Sequence, residues 1–245
     1  MRLVKLDAID STNEFLKGLS SQESLENFTV VTAENQTKGK GQMGAVWNSE
    51  IGKNLIMSVL IRDFITDIHQ IFNLNIAVSL AIIEVLQEFE IPNLSIKWPN
   101  DILSDNKKIG GILIENSIKS DRTILSIVGL GLNVNQIHFE NLPKASSLAM
   151  ICNRIFDKEV ILFSIVERMK KNIHSWNQGS DLLKKKYDSL LFKKGIFMSF
   201  ENQKGIRFMG IILGVSEIGM LRIQLEDATI SEFNIKEISL WQSLL

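Results

Sequence analysis

Four short segments hold the residues able to do chemistry. Lys97, Trp98, Pro99, Asn100 and Asp101 are followed, after a short hairpin, by Lys107, Lys108, Ile109, Gly110 and Gly111, so apolar strands deliver charged groups. Gly129, Leu130, Gly131, Leu132 and Asn133 place two glycines inside a strand pattern, which marks the close passage of a ligand or another backbone. Gly39, Lys40, Gly41, Gln42, Met43 and Gly44 match G-x-G-x-x-G, and Ser11, Thr12, Asn13 and Glu14 read as a capping box opening a helix. The loop glycines let backbone amides approach a ligand, while Lys38 and Lys40 supply charge and Gln36 and Gln42 neutral hydrogen bonds. Such a loop closes over an anion or is a plain solvated turn, and alone it does not decide.

Context removes the commoner meanings of the glycine pattern. A dinucleotide site needs a helix to start at the last glycine, yet Trp47 to Ile61 reads as turn and strand. The kinase-type loop lacks its partner segments, His-Arg-Asp and Asp-Phe-Gly, and no G-x-x-x-x-G-K-S/T phosphate loop occurs.

The positioning elements follow from periodicity. Leu3 to Ile9 alternates like a half-buried strand and leads into the helix at Ser11. Phe28 to Ala33 is a second strand, Glu34 to Val46 a long polar loop, Asn54 to Ile61 a third strand, and His69 to Phe89 the longest helix. Leu94 to Trp98 is a strand stopped by Pro99, with Asn100 and Asp101 in a turn and Ser104 to Lys107 a hairpin loop. Lys108 to Glu115 and Thr123 to Val134 are strands separated by the polar stretch Asn116 to Arg122, so the sheet is expected to be largely antiparallel. Helices are expected at Ser146 to Cys152, at Lys158 to Trp176 capped by Asp157, and at Asp181 to Leu190. From Gly195 onward short apolar runs alternate with turns at the spacing of a small barrel, which puts a domain boundary near residue 193.

Composition narrows the class. A chain of 245 residues, 45% hydrophobic and 22% charged, folds around a real core. Lys plus Arg is 27 against Asp plus Glu 28, a net charge of −1, so the total argues for no general attraction to nucleic acid. Cys152 is the single cysteine, which rules out an intrachain disulfide and a thiolate metal cluster and fits a reducing cytoplasm. No signal core is present and no apolar stretch reaches membrane-spanning length, so no membrane partner is expected. The histidines form no metal-ligand spacing.

Taken together, the order and spacing of these segments resemble the biotin protein ligases over essentially all 245 residues. The resemblance implies an α/β (α+β) catalytic domain over 1–192, with a central mixed, largely antiparallel sheet and flanking helices. It implies a small SH3-like β-barrel over 193–245. Because the first strand begins at Arg2, it implies the short form without a DNA-binding domain, and so no DNA partner. The implied reaction joins biotin and MgATP to biotinyl-5′-AMP, then passes biotin to a lysine of the biotin carboxyl carrier protein; a homodimer is left open.

Carried over residue by residue, the resemblance assigns Lys108 and Asp101 to catalysis. Two anions, a carboxylate and the α-phosphate, must meet in the first step, and a fixed ammonium offsets their repulsion. It gives biotin to Ser11, Thr12, Asn13, Gln36, Lys40, Gly41, Gln42 and Lys108, and the nucleotide to Gly39, Lys40, Gln42, Trp47, Lys97, Asn100 and Asn133. Asp101 would help position Mg²⁺ or assist deprotonation of the acceptor lysine; a turn-forming aspartate is the structural alternative, and the Mg²⁺ ligands stay open. Many relatives carry arginines where this chain has Lys40, Gln42 and Ala45, which predicts that Lys40, Lys97 and Lys108 carry more of the phosphate load. A lipoate- or octanoyl-type ligase of the same fold and a non-catalytic biotin binder are the competing readings.

Overall fold

The computed structural model describes residues 1–65, 67, 70–118, 123–140, 142–176 and 180–241. Its elements are β1 (Leu3–Ile9), α1 (Thr12–Gln22), β2 (Val30–Gln36), β3 (Leu55–Arg62), α2 (Ile71–Glu88), β4 (Leu94–Lys97), β5 (Asp101–Ser104), β6 (Lys107–Ile118), β7 (Ile124–Leu132), α3 (Leu148–Cys152), α4 (Lys158–Trp176) and α5 (Ser180–Ser189). A second group follows: β8 (Phe197–Asn202), β9 (Arg207–Val215), β10 (Leu221–Leu225), β11 (Ile230–Phe233) and β12 (Ile238–Leu240).

The first seven strands form one mixed sheet in the order β1-β2-β3-β7-β6-β5-β4, in which only β1 and β2 pair in parallel. The last five form a separate antiparallel sheet, β11-β10-β9-β8-β12. Period-2 alternation sorts the side chains of the central strands. Leu55, Met57, Val59 and Ile61 of β3 join the large core with α2 and α4, whereas Leu60 joins Leu16, Leu25, Val31, Leu125 and Ile127 in a smaller cluster under α1. On β7, Val128, Leu130 and Leu132 face the large core, which leaves Gly129 and Gly131 on the α1 side.

Several boundaries differ from expectation for physical reasons. The long polar loop is shorter because β2 runs on to Gln36, held parallel to β1 by its backbone partners up to Ile9–Gln36. The stretch from Asn116 continues β6 to Ile118, because the β7 ladder pairs Asn116 with Ser126 and Ser117 with Leu125 whatever their polarity; 119–122 lie outside the described residues. Asp101 starts β5 rather than lying in the turn, and β12 was not foreseen. The predicted start of the long helix at His69 lies outside the described residues. Asp157 caps α4 as expected, its carboxylate accepting from Glu159 N and Val160 N. The capping box at α1 is not made: the Ser11 side chain forms no cap hydrogen bond, and Glu14 binds Lys40 instead.

One expectation is overturned. By length and composition α2 is long and apolar enough to cross a membrane. That apolarity serves the core, since Leu74, Ile76, Val78, Leu80, Ile82, Ile83 and Leu86 are all buried, and burying each such side chain stabilises the fold by about 1.5–3 kcal/mol.

Glu84 of α2 ties the helical layer together. It accepts from Lys186 Nζ at 2.6 Å, Arg168 Nη1 at 3.0 Å and Asn172 Nδ2 at 3.3 Å. Burial pushes its carboxyl up, but the bonds from Lys186 and Arg168 outweigh burial and hold it below the usual glutamate value. A depressed folded pKa contributes stability that is full above the unfolded value of about 4.5 and is lost as pH falls through the lower folded value. Glu84→Gln should therefore cost about 1–3 kcal/mol at pH 7 and much less near pH 3, as read by urea denaturation at the two pH values.

The second sheet packs where α5 and β4 end. Trp98 Nε1 donates to Gly219 O at 2.9 Å, and Asp188 accepts from Val215 N at 3.1 Å. Tyr187 is fully buried beside Phe72, with ring centroids 5.8 Å apart, and its hydroxyl has no hydrogen-bond partner among the described residues. Burial pushes that phenol far above its ordinary value. Because an unmet buried hydroxyl carries a desolvation penalty, Tyr187→Phe should be neutral or stabilise by up to about 1 kcal/mol; a loss of stability on denaturation would show an unseen partner.

Candidate active site

The sheet register builds the site. Ile56, Gly131, Gly111, Asp101 and Lys97 are aligned across β3, β7, β6, β5 and β4, and Ser58, Gly129 and Leu113 form the next row. Directly paired residues share a face, so two rows with glycines at their centre make a trough. Lys108 reaches it through a β-bulge. Residues 108 and 111 are three apart and would face opposite sides of a regular strand, but β5 and β6 shift register so that Ile102 pairs Gly110 and Leu103 pairs Lys108, leaving Ile109 extra. The extra residue turns the ammonium over the trough.

The resulting cleft, about 200 Å³, is lined by Ser11, Thr12, Asn13, Gln36, Lys40, Gly41, Gln42, Trp47, Asn100, Asp101 and Lys108, among others. At one end stands a cluster of neutral side chains backed by one carboxylate. Gln36 Oε1 accepts from Thr12 N at 2.7 Å and from Thr12 Oγ1 at 3.1 Å. The Ser58 hydroxyl lies 2.6 Å from Asn13 Oδ1, to which it donates, and 2.7 Å from Thr12 Oγ1. Asn13 Nδ2 donates to Glu115 Oε2 at 2.7 Å. At the other end Lys108 Nζ pairs with Asp101 Oδ1 at 2.6 Å and sits 5.8 Å from the Trp47 ring centroid.

The glycine segment is a tight hairpin across the mouth. Trp47 N donates to Gly39 O at 2.9 Å and Gly41 N to Ala45 O at 2.7 Å, with a 3-10 turn at Gln42–Gly44. Lys40 latches it to α1 through Glu14 at 2.6 Å; that bond raises the Lys40 ammonium and lowers the Glu14 carboxyl. The hairpin carries Trp47 onto the trough. A Cβ on Gly131 would lie 2.3 Å from Trp47 Cε2, and one on Gly129 would lie 2.5 Å from Asn13 Oδ1. The strand glycines thus admit an indole and an amide of the protein itself. The buried Trp47 Nε1–H has no hydrogen-bond partner among the described residues, which leaves a donor ready for a ligand.

Of the residues singled out from sequence, three do not line this cleft. Gly39 is buried behind the hairpin, where a Cβ would meet Trp47 O at 2.3 Å. Asn133 is buried with its amide donating to Ser146 O at 3.0 Å, and Lys97 lies at the outer end of the register row. Asn100 lines the cleft, but its amide nitrogen already donates to Ile112 O at 2.7 Å. Ser58 and Glu115, which do not line the cleft but hold the Asn13 amide, were given no role from sequence. Ser58 is the one polar residue in the apolar run Leu55 to Ile61, and that interruption was the available signal. Among the described residues no three His, Cys, Asp or Glu side chains converge as a metal cluster.

Known proteins are similar to this chain in sequence and fold. The profile of the biotin/lipoate A/B protein ligase family matches residues 6–133. The bifunctional ligase/repressor BirA of Bacillus subtilis is 30% identical over 227 residues, covering 91% of this chain and 69% of that protein. The biotin–[acetyl-CoA-carboxylase] ligase of Mycobacterium tuberculosis is 26% identical over 223 residues, covering 90% of this chain and 82% of that one. The biotin protein ligase of Aquifex aeolicus, solved in complex with biotin and ATP, superposes with a TM-score of 0.80 at 29% identity over 99% of both chains. With half its length matched by the family profile and its whole fold shared with a ligase, the chain belongs to the biotin/lipoate A/B protein ligase family.

Proposed function

We propose that this chain is a biotin protein ligase, which activates biotin with ATP as biotinyl-5′-AMP and passes the biotinyl group to a lysine of a biotin carboxyl carrier protein. One observation carries the reading: a donor–acceptor cluster of neutral side chains, Thr12, Asn13 and the half-buried Gln36, at one end of the cleft faces an ammonium–carboxylate pair at the other. Biotin has that polarity, a neutral ureido ring at one end and a carboxylate at the other. Thr12, Asn13 and Gln36, the first two braced from behind by the buried Ser58, suit the ureido; Lys108 suits the carboxylate and the α-phosphate it must approach.

In the first step the carboxylate oxygen bonds to the α-phosphorus and pyrophosphate leaves. Lys108 offsets the repulsion of the two anions and the charge that develops between them. Trp47, Gly41 and Gln42 of the hairpin cover the mixed anhydride and keep water from it. In the second step an incoming lysine amine attacks the acyl carbon, AMP departs, and Asp101, paired with Lys108, takes the amine proton once ligand draws Lys108 away. Among the described residues Asp101 is also the only carboxylate lining the cleft, and Mg²⁺ is commonly held by one carboxylate together with substrate phosphates. That donor set fits a Mg²⁺ bound with the nucleotide.

Lys97 and Asn133 were expected to bind nucleotide; at their observed places Lys97 suits the outer phosphates and Asn133 braces the loop at Ser146. The C-terminal sheet, from about residue 193, is proposed as a separate small domain, and the single free cysteine supports a cytoplasmic setting. Cys152 on α3 does not line the cleft, which counts against a thiol-based acyl transfer. Biotin-dependent ATP–pyrophosphate exchange, run beside lipoate-dependent exchange, tests the reading. Exchange with biotin alone is expected; exchange supported by lipoate and not by biotin would overturn it.

A further inference from the structure

Glu115 stands behind the cleft, yet it acts on a residue that lines it. Leu113 pairs with Gly129 and Glu115 with Ile127 across β6 and β7, so both project to the α1 side of the sheet, where Gly129 lies against the Asn13 amide. There Asn13 Nδ2 donates to Glu115 Oε2 at 2.7 Å and to Leu113 O at 3.4 Å. A carboxylate can only accept, and so can a backbone carbonyl, so both amide protons of Asn13 are turned to β6. The carbonyl end of the same amide is thereby turned the other way. Asn13 Oδ1 takes the proton of the buried Ser58 hydroxyl at 2.6 Å.

An amide oxygen has two acceptor positions, and Ser58 fills one of them. Asn13 is buried but lines the cleft, so what it offers a ligand is the second position, an acceptor with no proton of its own to give. A glutamine in place of Glu115 would leave the amide free to turn over, because a neutral amide both donates and accepts. The charge removes that choice. It also reaches the hairpin: the Lys40 ammonium, raised chiefly by its bond to Glu14, is raised further by the charge on Glu115.

We propose that Glu115 is a positioning residue that fixes Asn13 as an acceptor and so makes this end of the cleft select rings that carry an N–H. The inference rests on the ligase reading and deepens it, because a ureido ring carries such groups and the dithiolane ring of lipoate carries none. Asn13, not Glu115, touches the ring. A dithiolane, or a ring that turns a carbonyl to this point, leaves the Asn13 oxygen desolvated and without a donor. Sites built to hydrogen-bond a polar group reject analogues that lack it far more strongly than apolar pockets reject a small change of size. Glu115 thus separates the two acids in the family's name without contacting either.

The test exchanges donor and acceptor across one hydrogen bond. Biotin-dependent ATP–pyrophosphate exchange is measured for the full chain and for Glu115→Met, Asn13→Asp and the Asn13→Asp, Glu115→Gln double variant, with thermal unfolding of each. Glu115→Met frees the amide to turn, and KM for biotin should rise on the order of ten-fold while KM for ATP stays within about two-fold. Asn13→Asp sets two carboxylates against each other and should raise KM for biotin on the order of a hundred-fold. In the double variant the new amide donates to the new carboxylate and an oxygen again faces the cleft, so KM for biotin should return to within about ten-fold of the parental value. The double variant keeps the parental net charge, and it decides the matter by itself if Glu115→Met does not fold. An unmoved KM for biotin in Glu115→Met overturns the proposal, and so does a double variant no better than Asn13→Asp. Both KM values rising in step with lost thermal stability also overturns it, since Glu115 would then only prop the fold. No exchange by the unsubstituted chain would remove the ligase reading and this role together, whereas normal exchange with unmoved KM values removes the role alone.

Discussion

Lys108→Ala is expected to lower biotin-dependent ATP–pyrophosphate exchange on the order of 10² or more, the range seen when a preorganised group at a developing charge is deleted. The size follows from placement. The ammonium is fixed by a bulge, paired at 2.6 Å with Asp101 and shielded on one side by Trp47, with its side chain about a third exposed. A charge in that setting acts in a lower effective dielectric than one in open water. Removal also leaves Asp101 without its cation, so a carboxylate then faces the incoming carboxylate and phosphate. Biotin affinity, followed by thermal shift, should fall much less than exchange, since the ureido contacts proposed for Thr12, Asn13 and Gln36 remain. A decrease of under about three-fold in exchange would mean that the reaction is centred elsewhere in the cleft.

How much of this was legible in the sequence depends on whether the cause is local. β1 was read to within a residue and Asp157 was read as a cap, because alternation and capping act within a few positions. The polar run from Asn116 was misread, since pairing with β7 overrides its polarity, and no residue in the run announces its partner. The same holds at the site. Lys108, Asp101, Thr12, Asn13 and Gln36 could be named from motifs, and all of them line the cleft. That Ile109 is an extra residue in the ladder could not, because a bulge is a relation between two strands. Glycines 129 and 131 were read as the close approach of something; only the structure identifies the visitors as Asn13 and Trp47. Nor does the sequence say that Lys40 holds Glu14 rather than open space.

Gly131→Ala is the second change with a large expected effect. The added carbon would lie 2.3 Å from Trp47 Cε2 and 2.6 Å from Cζ2, closer than any real contact. Neither side can yield cheaply: β7 is clasped between β3 and β6, and the Trp47 backbone is clasped in the hairpin by its bond to Gly39 O at 2.9 Å. The rigid indole must swing out, taking the hairpin from the mouth. Overpacking of this kind costs about 1–3 kcal/mol, and an uncovered anhydride loses its shield from water, so exchange should fall at least about ten-fold and more adenylate should hydrolyse per biotin transferred. Adding Trp47→Ala to Gly131→Ala removes the clash, and the double variant should be more stable than Gly131→Ala alone although no more active. That sign of coupling separates the two duties of Trp47: its bulk is what the glycine accommodates, and its cover is what the reaction uses. Equal stability of the single and double variants would mean that the strand, not the indole, had moved to admit the methyl group.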